Sequence, residues 1–295
     1  ACARAGGTPA VRQDDDDPAF WRGCAMRRLL AFLLLLLPVA ARADQEMPIF
    51  DAHLHYSHDA WEVVPPQGFI DILRKANIRR AMVSSSNNDG TKKLQDLAPG
   101  VIVPELRPYR SRGELGTWAR DPTVIPFIED LLSKRKYVAI GEFHIYGADA
   151  DLPNMRRIVE LAKQHGLFLH SHSDSAAVER HFQQDPTARV LWAHSGFERP
   201  ESVRAMLRKY PGLWCDLAFL TAHASNGKVA PAWREAFLEF PDRFLVGTDS
   251  FTPERLHYIA EHARWSRQWL ADLPRDVAEK IGFRNGEKLF GGPPQ

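Results

Sequence analysis

The segment FDAHLHYSHD, Phe50 to Asp59, carries His53, His55 and His58 within six positions, behind the apolar lead-in Pro48-Ile49-Phe50. A strand alternates its side chains between two faces, so a strand here points His53 and His55 the same way and sets Asp51 beside them. Neutral imidazoles on one face are ligands for zinc and related divalent ions. An isolated H-x-H is more commonly a surface pair or a hydrogen-bonded core histidine, so its meaning depends on what the rest of the chain brings beside it. Further such groups end other apolar runs: Glu142 in AIGEFH, His170 in LFLHSHSD, His194 in VLWAHSG and Asp249 in FLVGTDSF. Imidazole and carboxylate together hold zinc, manganese or iron(II) and leave room for water. Water held in this way ionises near neutral pH, and a carboxylate such as Asp249 can take its proton and pass it to a leaving group. The expected chemistry is hydrolysis of an ester, lactone, amide or phosphoester.

Residues this far apart in sequence meet only if a regular scaffold collects them. Eight short apolar runs have strand character: Pro48 to His53, Arg80 to Ser85, Val101 to Leu106, Tyr137 to Glu142, Leu167 to His170, Arg189 to His194, Leu213 to Leu217 and Arg243 to Asp249. Between them lie stripes spaced i, i+3, i+4, i+7, such as Met155, Ile158, Val159, Ala162 and Val203, Met206, Leu207, Tyr210, each the buried face of a helix. Weaker helices are expected around Thr91 to Leu97 and Val124 to Leu132. Eight strands alternating with helices predict an α/β fold, a (β/α)8 TIM barrel, whose functional residues stand at the C-terminal strand ends. An open doubly wound sheet is the competing architecture, but it usually carries a glycine-rich phosphate turn after its first strand, and none is present.

The N-terminal region has a different character. From Met26 the sequence runs through Arg27-Arg28, an apolar stretch from Leu29 to Leu37 and Ala41-Arg42-Ala43, the pattern of a secretory signal peptide cleaved before Asp44. The stretch is shorter than the roughly 20 apolar residues of a spanning helix, so no membrane anchor is expected to remain after cleavage. Residues 1–25, with Asp14 to Asp17 in a row, read as a disordered upstream segment, and 44–295 as a single domain in the periplasm or outside the cell. Acidic and basic side chains nearly balance in that domain, which argues against general nucleic-acid binding and for a small-molecule substrate. Only Cys215 remains there, so no disulfide framework supports the fold.

The ordered set IFDAHLH, HSG, GTDS and the closing EKIGFRNGEKLF resembles the amidohydrolase-related branch of the metal-dependent amidohydrolase superfamily, which includes aminocarboxymuconate semialdehyde decarboxylase. AIGE and LHSHSD are also similar to TatD-type nucleases, which carry a glutamate after strand four. The resemblance spans Pro48 to Phe290 and implies one or two divalent ions, with zinc expected. It makes His53, His55, His170 and Asp249 the surroundings of a first ion, and Glu142 and His194 ligands of a second. No lysine ends strand four, so any bridging role falls to Glu142. Asp249 is the expected general base and acid; His194 stabilises a developing oxyanion if no second ion binds. His172 lies two residues beyond His170 on the same face, so strand register alone could exchange them; the end of the apolar run Leu167-Phe168-Leu169 favours His170. His144 stands in the same relation to Glu142 and is expected to line the pocket. Arg107, in PELRPYR, is expected either to recognise an anionic substrate group or to form a rim salt bridge. A nonoxidative decarboxylase and a non-catalytic metal-binding barrel are the two competing functions.

Overall fold

In the computed structural model, which describes residues 46–291, β1 (Ile49–His55), β2 (Ile78–Ser84), β3 (Ile102–Leu106), β4 (Ala139–His144), β5 (Phe168–His172), β6 (Val190–Trp192) and β7 (Leu213–Asp216) pair in order, all parallel, with an eighth barrel strand, Phe244–Leu245, beside β7. The ring closes where Leu54 bridges Ser250, Ala52 N donates to Val246 O at 2.8 Å and Asp249 N donates to His53 O at 2.8 Å. The fold is the (β/α)8 barrel expected from the alternation. The proposed signal peptide and the segment before it lie outside the described residues. No helix among the described residues is long and apolar enough to cross a membrane.

The helices follow from apolar stripes and their punctuation. α1 (Pro66–Lys75) starts on a proline, whose missing N–H costs nothing there, and buries Phe69, Ile70 and Leu73. α2 (Asp89–Leu97) and α3 (Val124–Lys134) fall where the weaker helices were expected. α4 (Pro153–His165) buries Met155, Ile158, Val159 and Ala162 and ends at Gly166, in the left-handed conformation of a helix stop. α5 (Ser175–Gln184) has no strong stripe in the sequence; Asp174 caps it by accepting from Ala177 N at 2.8 Å. α6 (Pro200–Lys209) and α7 (Pro231–Glu239) follow the pattern, whereas the stripe Leu256 to Ala263 is divided between α8 (Pro253–Leu256) and α9 (Ile259–Leu270).

Inside the barrel, Phe50, Met82, Val103, Ala139, Phe168, Leu191 and Leu245 form one apolar floor, roughly one residue per strand, closed below by Phe290. Strand alternation then dictates what stands above it. Val103 is followed on its face by Glu105, Phe168 by His170 and His172, Met82 by Ser84, and Trp214 by Asp216. Two strands break the rule. β1 shifts register between Asp51 and Leu54, and β4 between Gly141 and Phe143. Each shift turns polar groups inward that simple alternation would send out: His53 and His55 follow Phe50 and Ala52, and Glu142 follows Ala139.

Candidate metal centre and its cavity

Donor atoms of His53, His55 and Asp249 converge above the floor, and Glu142 of β4 meets the two histidines there. His53 Nε2 and His55 Nε2 are 3.2 Å apart. His55 Nε2 lies 3.3 Å from both Glu142 Oε2 and Asp249 Oδ1, and His53 Nε2 lies 3.6 and 3.7 Å from the same two oxygens. Four ligands at roughly 2.0–2.1 Å around a tetrahedral ion stand about 3.4 Å from one another. The spacing of His53, His55 and Asp249 therefore fits a cation, and nitrogen with carboxylate oxygen is a donor chemistry that zinc, manganese and iron(II) accept.

Second partners fix which nitrogen is offered. His53 Nδ1 faces Asp216 Oδ2 at 3.2 Å, which holds the proton on Nδ1 and leaves the Nε2 lone pair for the centre. His55 Nδ1 is 2.9 Å from Ser84 Oγ; when it donates there, Nε2 is again free. His194 Nδ1 donates to the Ala218 carbonyl at 2.7 Å, and its Nε2 points at Glu142 Oε1, 3.4 Å away. His194 and the next three residues run through left-handed backbone, with φ of 55° at His194, 51° at Ser195, 65° at Gly196 and 54° at Phe197. Gly196 is required twice over, since a Cβ there would also stand 2.2 Å from the Trp192 ring. Asp249 has φ of 45°, a conformation aspartate tolerates better than most residues, and this turn aims its carboxylate at the two histidines.

Glu142 is shared. Its Oε2 faces His53, His55 and the Arg107 guanidinium at 3.0 Å, while Oε1 faces His172 Nδ1 at 2.7 Å and His194. Donors from Glu142, His144 and His172 form a second set close enough for an ion. Burial alone would push the Glu142 carboxyl up, but His53, His172 and His194 hold it well below the usual carboxylate range. Burial acts the same way on Asp249, and His53 and His55 outweigh it, bringing its carboxyl to about 2. Conversely, burial would depress His53, but Asp216, Glu142 and Asp249 raise it well above an ordinary imidazole. A compact knot of buried histidines and carboxylates is a site built for positive charge.

The structure brings His53, His55, Glu142, His194 and Asp249 together, and His172, His144 and Arg107 line the same cavity of about 390 Å³. It places His170 behind them. His170 Nδ1 meets Glu105 Oε1 and its Nε2 meets Asp216 Oδ2, both at 2.9 Å, so both nitrogens already face carboxylates. Burial opposes the charged ring, but Glu105 and Asp216 overcome it and raise His170 to about 9. Its ring centre is 4.5 Å from that of His53, and a further donor group, His53, His170 and Asp216, lies there. Asp51 does not join the metal-facing donors. The β1 register shift turns it aside, and its oxygens accept from His53 N, Thr248 N and Thr248 Oγ1. Arg107 Nη2 donates to Glu142 Oε2 at 3.0 Å, and Nη1 lies 3.2 Å from His55 Nδ1, a contact that becomes a hydrogen bond only in the tautomer that leaves Nδ1 unprotonated. His144 stacks on His172 at 4.1 Å and bonds Tyr109; burial lowers its imidazole to about 3. Tyr109 and Phe251 line the cavity, while Trp192 is fully buried and donates to Ser173 O.

Sequence reasoning missed Asp216, Glu105 and Ser84. Asp216 had a legible signal, a carboxylate at the end of the apolar run LWCD; it accepts from His53, His170, His194 N and Ala218 N.

The structure is thus an eight-stranded barrel with histidine and carboxylate donors gathered at its C-terminal strand ends, where this fold carries its functional residues. The amidohydrolase family model matches residues 128–292, more than half of the chain, and the chain belongs to that family. Its structure is similar to an uncharacterized TIM-barrel protein of Bordetella bronchiseptica, with 14% identity and a TM-score of 0.58 over 82% of this chain and 98% of that one. It is also similar to a probable 2-pyrone-4,6-dicarboxylic acid hydrolase of Acinetobacter baumannii, with 14% identity, a TM-score of 0.55, and coverage of 83% of this chain and 100% of that one. An organophosphorus hydrolase of Deinococcus radiodurans gives 13% identity and a TM-score of 0.52 over 83% and 93% of the two chains. At this identity the likeness concerns the fold. No curated protein shows significant sequence similarity to the chain.

Proposed function

We propose that the protein is an exported metal-dependent hydrolase that directs water at an ester, lactone, amide or phosphoester bond of a small molecule. The observation that carries this reading is the spacing of His53 Nε2, His55 Nε2 and Asp249 Oδ1, 3.2 to 3.7 Å from one another, which matches three donors around a small divalent ion. His53, His55 and Asp249 would hold one ion, and Glu142 with His53 and His194, or with His144 and His172, a second, zinc suiting these donor sets. Such an ion, when bound, supplies Lewis acidity and brings the pKa of water toward about 7.

The remaining chemistry belongs to the chain. Asp249 lines the cavity with its carboxylate ionised at neutral pH, so it can accept the proton of an attacking water and return it to the departing oxygen or nitrogen. The Ala218 carbonyl holds the Nδ1 proton of His194 and orients its ring; if that ring is protonated as well at Nε2, it can donate to a developing oxyanion. Arg107, ion-paired with Glu142, positions that carboxylate rather than recognising substrate. Glu105 and Asp216 keep His170 in place below the reacting groups.

The test is a product-resolved screen of esters, lactones, amides, phosphoesters and carboxylated aromatics with metal-loaded protein. Hydrolysis of one class, lost on chelation and restored by zinc, supports the reading. Release of carbon dioxide with no hydrolysis would move the assignment to a decarboxylase, and no turnover on any class would favour a binding protein.

A further inference from the structure

A second cavity of about 240 Å³ adjoins the catalytic one, and Phe219 lines both. Its walls are mostly apolar, with Leu217, Leu220 and Trp265 prominent, and Gly247-Thr248, the two residues before Asp249, form its edge. One cation stands in this wall, Arg255. Its Nε donates to the Asp249 carbonyl at 3.2 Å, and its guanidinium lies over the rings of Phe219 and Phe251, 4.6 and 5.4 Å from their centres. Among the described residues no carboxylate comes within ion-pairing distance of it. The other arginines near the mouth are committed: Arg107 to Glu142, Arg112 to Asp59 and Arg110 to Glu114 and Asp121.

We propose that Arg255 and this adjoining cavity form a substrate subsite for an apolar carboxylate, the guanidinium taking the anionic group and the apolar walls taking the hydrocarbon. A half-buried guanidinium over two rings, with no carboxylate partner among the described residues, is available to a planar bidentate anion. Its single positive charge matches a monoanionic carboxylate better than a phosphate dianion. His262 adds a neutral partner: burial and the nearby Arg255 charge lower its imidazole, so it does not contribute a second cation. The phenyl rings of Phe219 and Phe251 are exposed at the junction, and Phe219 is held there by left-handed backbone with φ of 55°, an arrangement that a bulky residue adopts only at a cost. The subsite rests on the hydrolase reading for its purpose, but anion binding is measurable without turnover.

The experiment compares 4-phenylbutyrate, the uncharged 4-phenylbutan-1-ol and butyrate by calorimetry, with tryptophan fluorescence reporting on Trp265, in wild type, Arg255→Met, Arg255→Lys and Leu220→Trp. The acid is expected to bind wild type at least about tenfold more tightly than either other probe. Arg255→Met should bring the acid to the level of the alcohol, Arg255→Lys should keep part of the preference, and Leu220→Trp, which fills the cavity and leaves the charge, should weaken acid and alcohol alike. Equal binding of acid and alcohol by wild type, no binding of either, a preference that survives Arg255→Met but not Arg107→Met, or no effect of Leu220→Trp would overturn the proposal. Tight acid binding in a protein that hydrolyses nothing in the screen would support the subsite and sink the hydrolase reading alone.

Discussion

Asp216 Oδ2 lies 3.2 Å from His53 Nδ1, and through this contact a carboxylate at the end of β7 fixes the ring of a histidine on β1. Asp216 is fully buried and also bonds His170 and the backbone of His194. Burial works against its charge, but His53 and His170 hold it ionised far below the ordinary aspartate range. Asp216→Asn should therefore lower zinc affinity by roughly 10- to 100-fold, the usual cost of losing an outer partner of a ligating histidine. Competition against a chromogenic chelator measures this, and unchanged affinity would refute the role assigned to Asp216.

The paired variant His53→Ala, His55→Ala should bind no ion at the centre, because it removes both nitrogen donors of the set they form with Asp249. Elemental analysis beside wild type provides the check. Equal metal content in the two proteins would mean that the site lies elsewhere.

Asp249→Asn preserves shape and removes the base. On whichever substrate the screen identifies, kcat should fall by roughly two to four orders of magnitude in metal-replete protein. Full activity in that variant would transfer the proton-handling role to Glu142, the other carboxylate of the cavity.

Acid stability gives an independent handle away from the metal centre. His223 is fully buried among Trp233, Phe237, Trp265 and Trp269, and burial lowers its imidazole to about 4. The unfolded ring titrates near about 6.5, so between these values the unfolded chain binds the extra proton and stability falls as pH decreases. The loss from this one ring reaches about 3 kcal/mol at the lower end of that window and is absent above pH of about 7. His223→Phe should flatten the decline in urea midpoint between neutral and mildly acidic pH; an unchanged slope would show that the ring is not buried neutral.

The exported chain is expected to start at Asp44, after Ala41-Arg42-Ala43. N-terminal sequencing of protein from the periplasm or culture medium addresses this, and a chain that retains residues before Met26 would contradict it.

The sequence by itself determined the barrel, because eight apolar runs and the helical stripes between them leave few other ways to bury both faces of every strand. It also placed His53, His55, Glu142, His194 and Asp249 at the strand ends where a site forms, since strand ends are fixed by the close of each apolar run. Tertiary structure decided what each group does there. Alternation in β1 would have set Asp51 beside the histidines, but a register shift, visible only once β1 pairs with β2, turned it to Thr248 instead. His170 and His172 share a face and were indistinguishable by periodicity; depth separated them, the first lying against Glu105 and Asp216, the second opening to the cavity beside Glu142. Arg107 and Arg255 are equal as cations in a sequence, and only the positions of carboxylates brought from distant strands made one a clamp and left the other without a carboxylate partner among the described residues. Local patterns encode which residues reach the mouth of the barrel. Partners at long sequence separation assign their protons and charges, and no spacing rule carries that information.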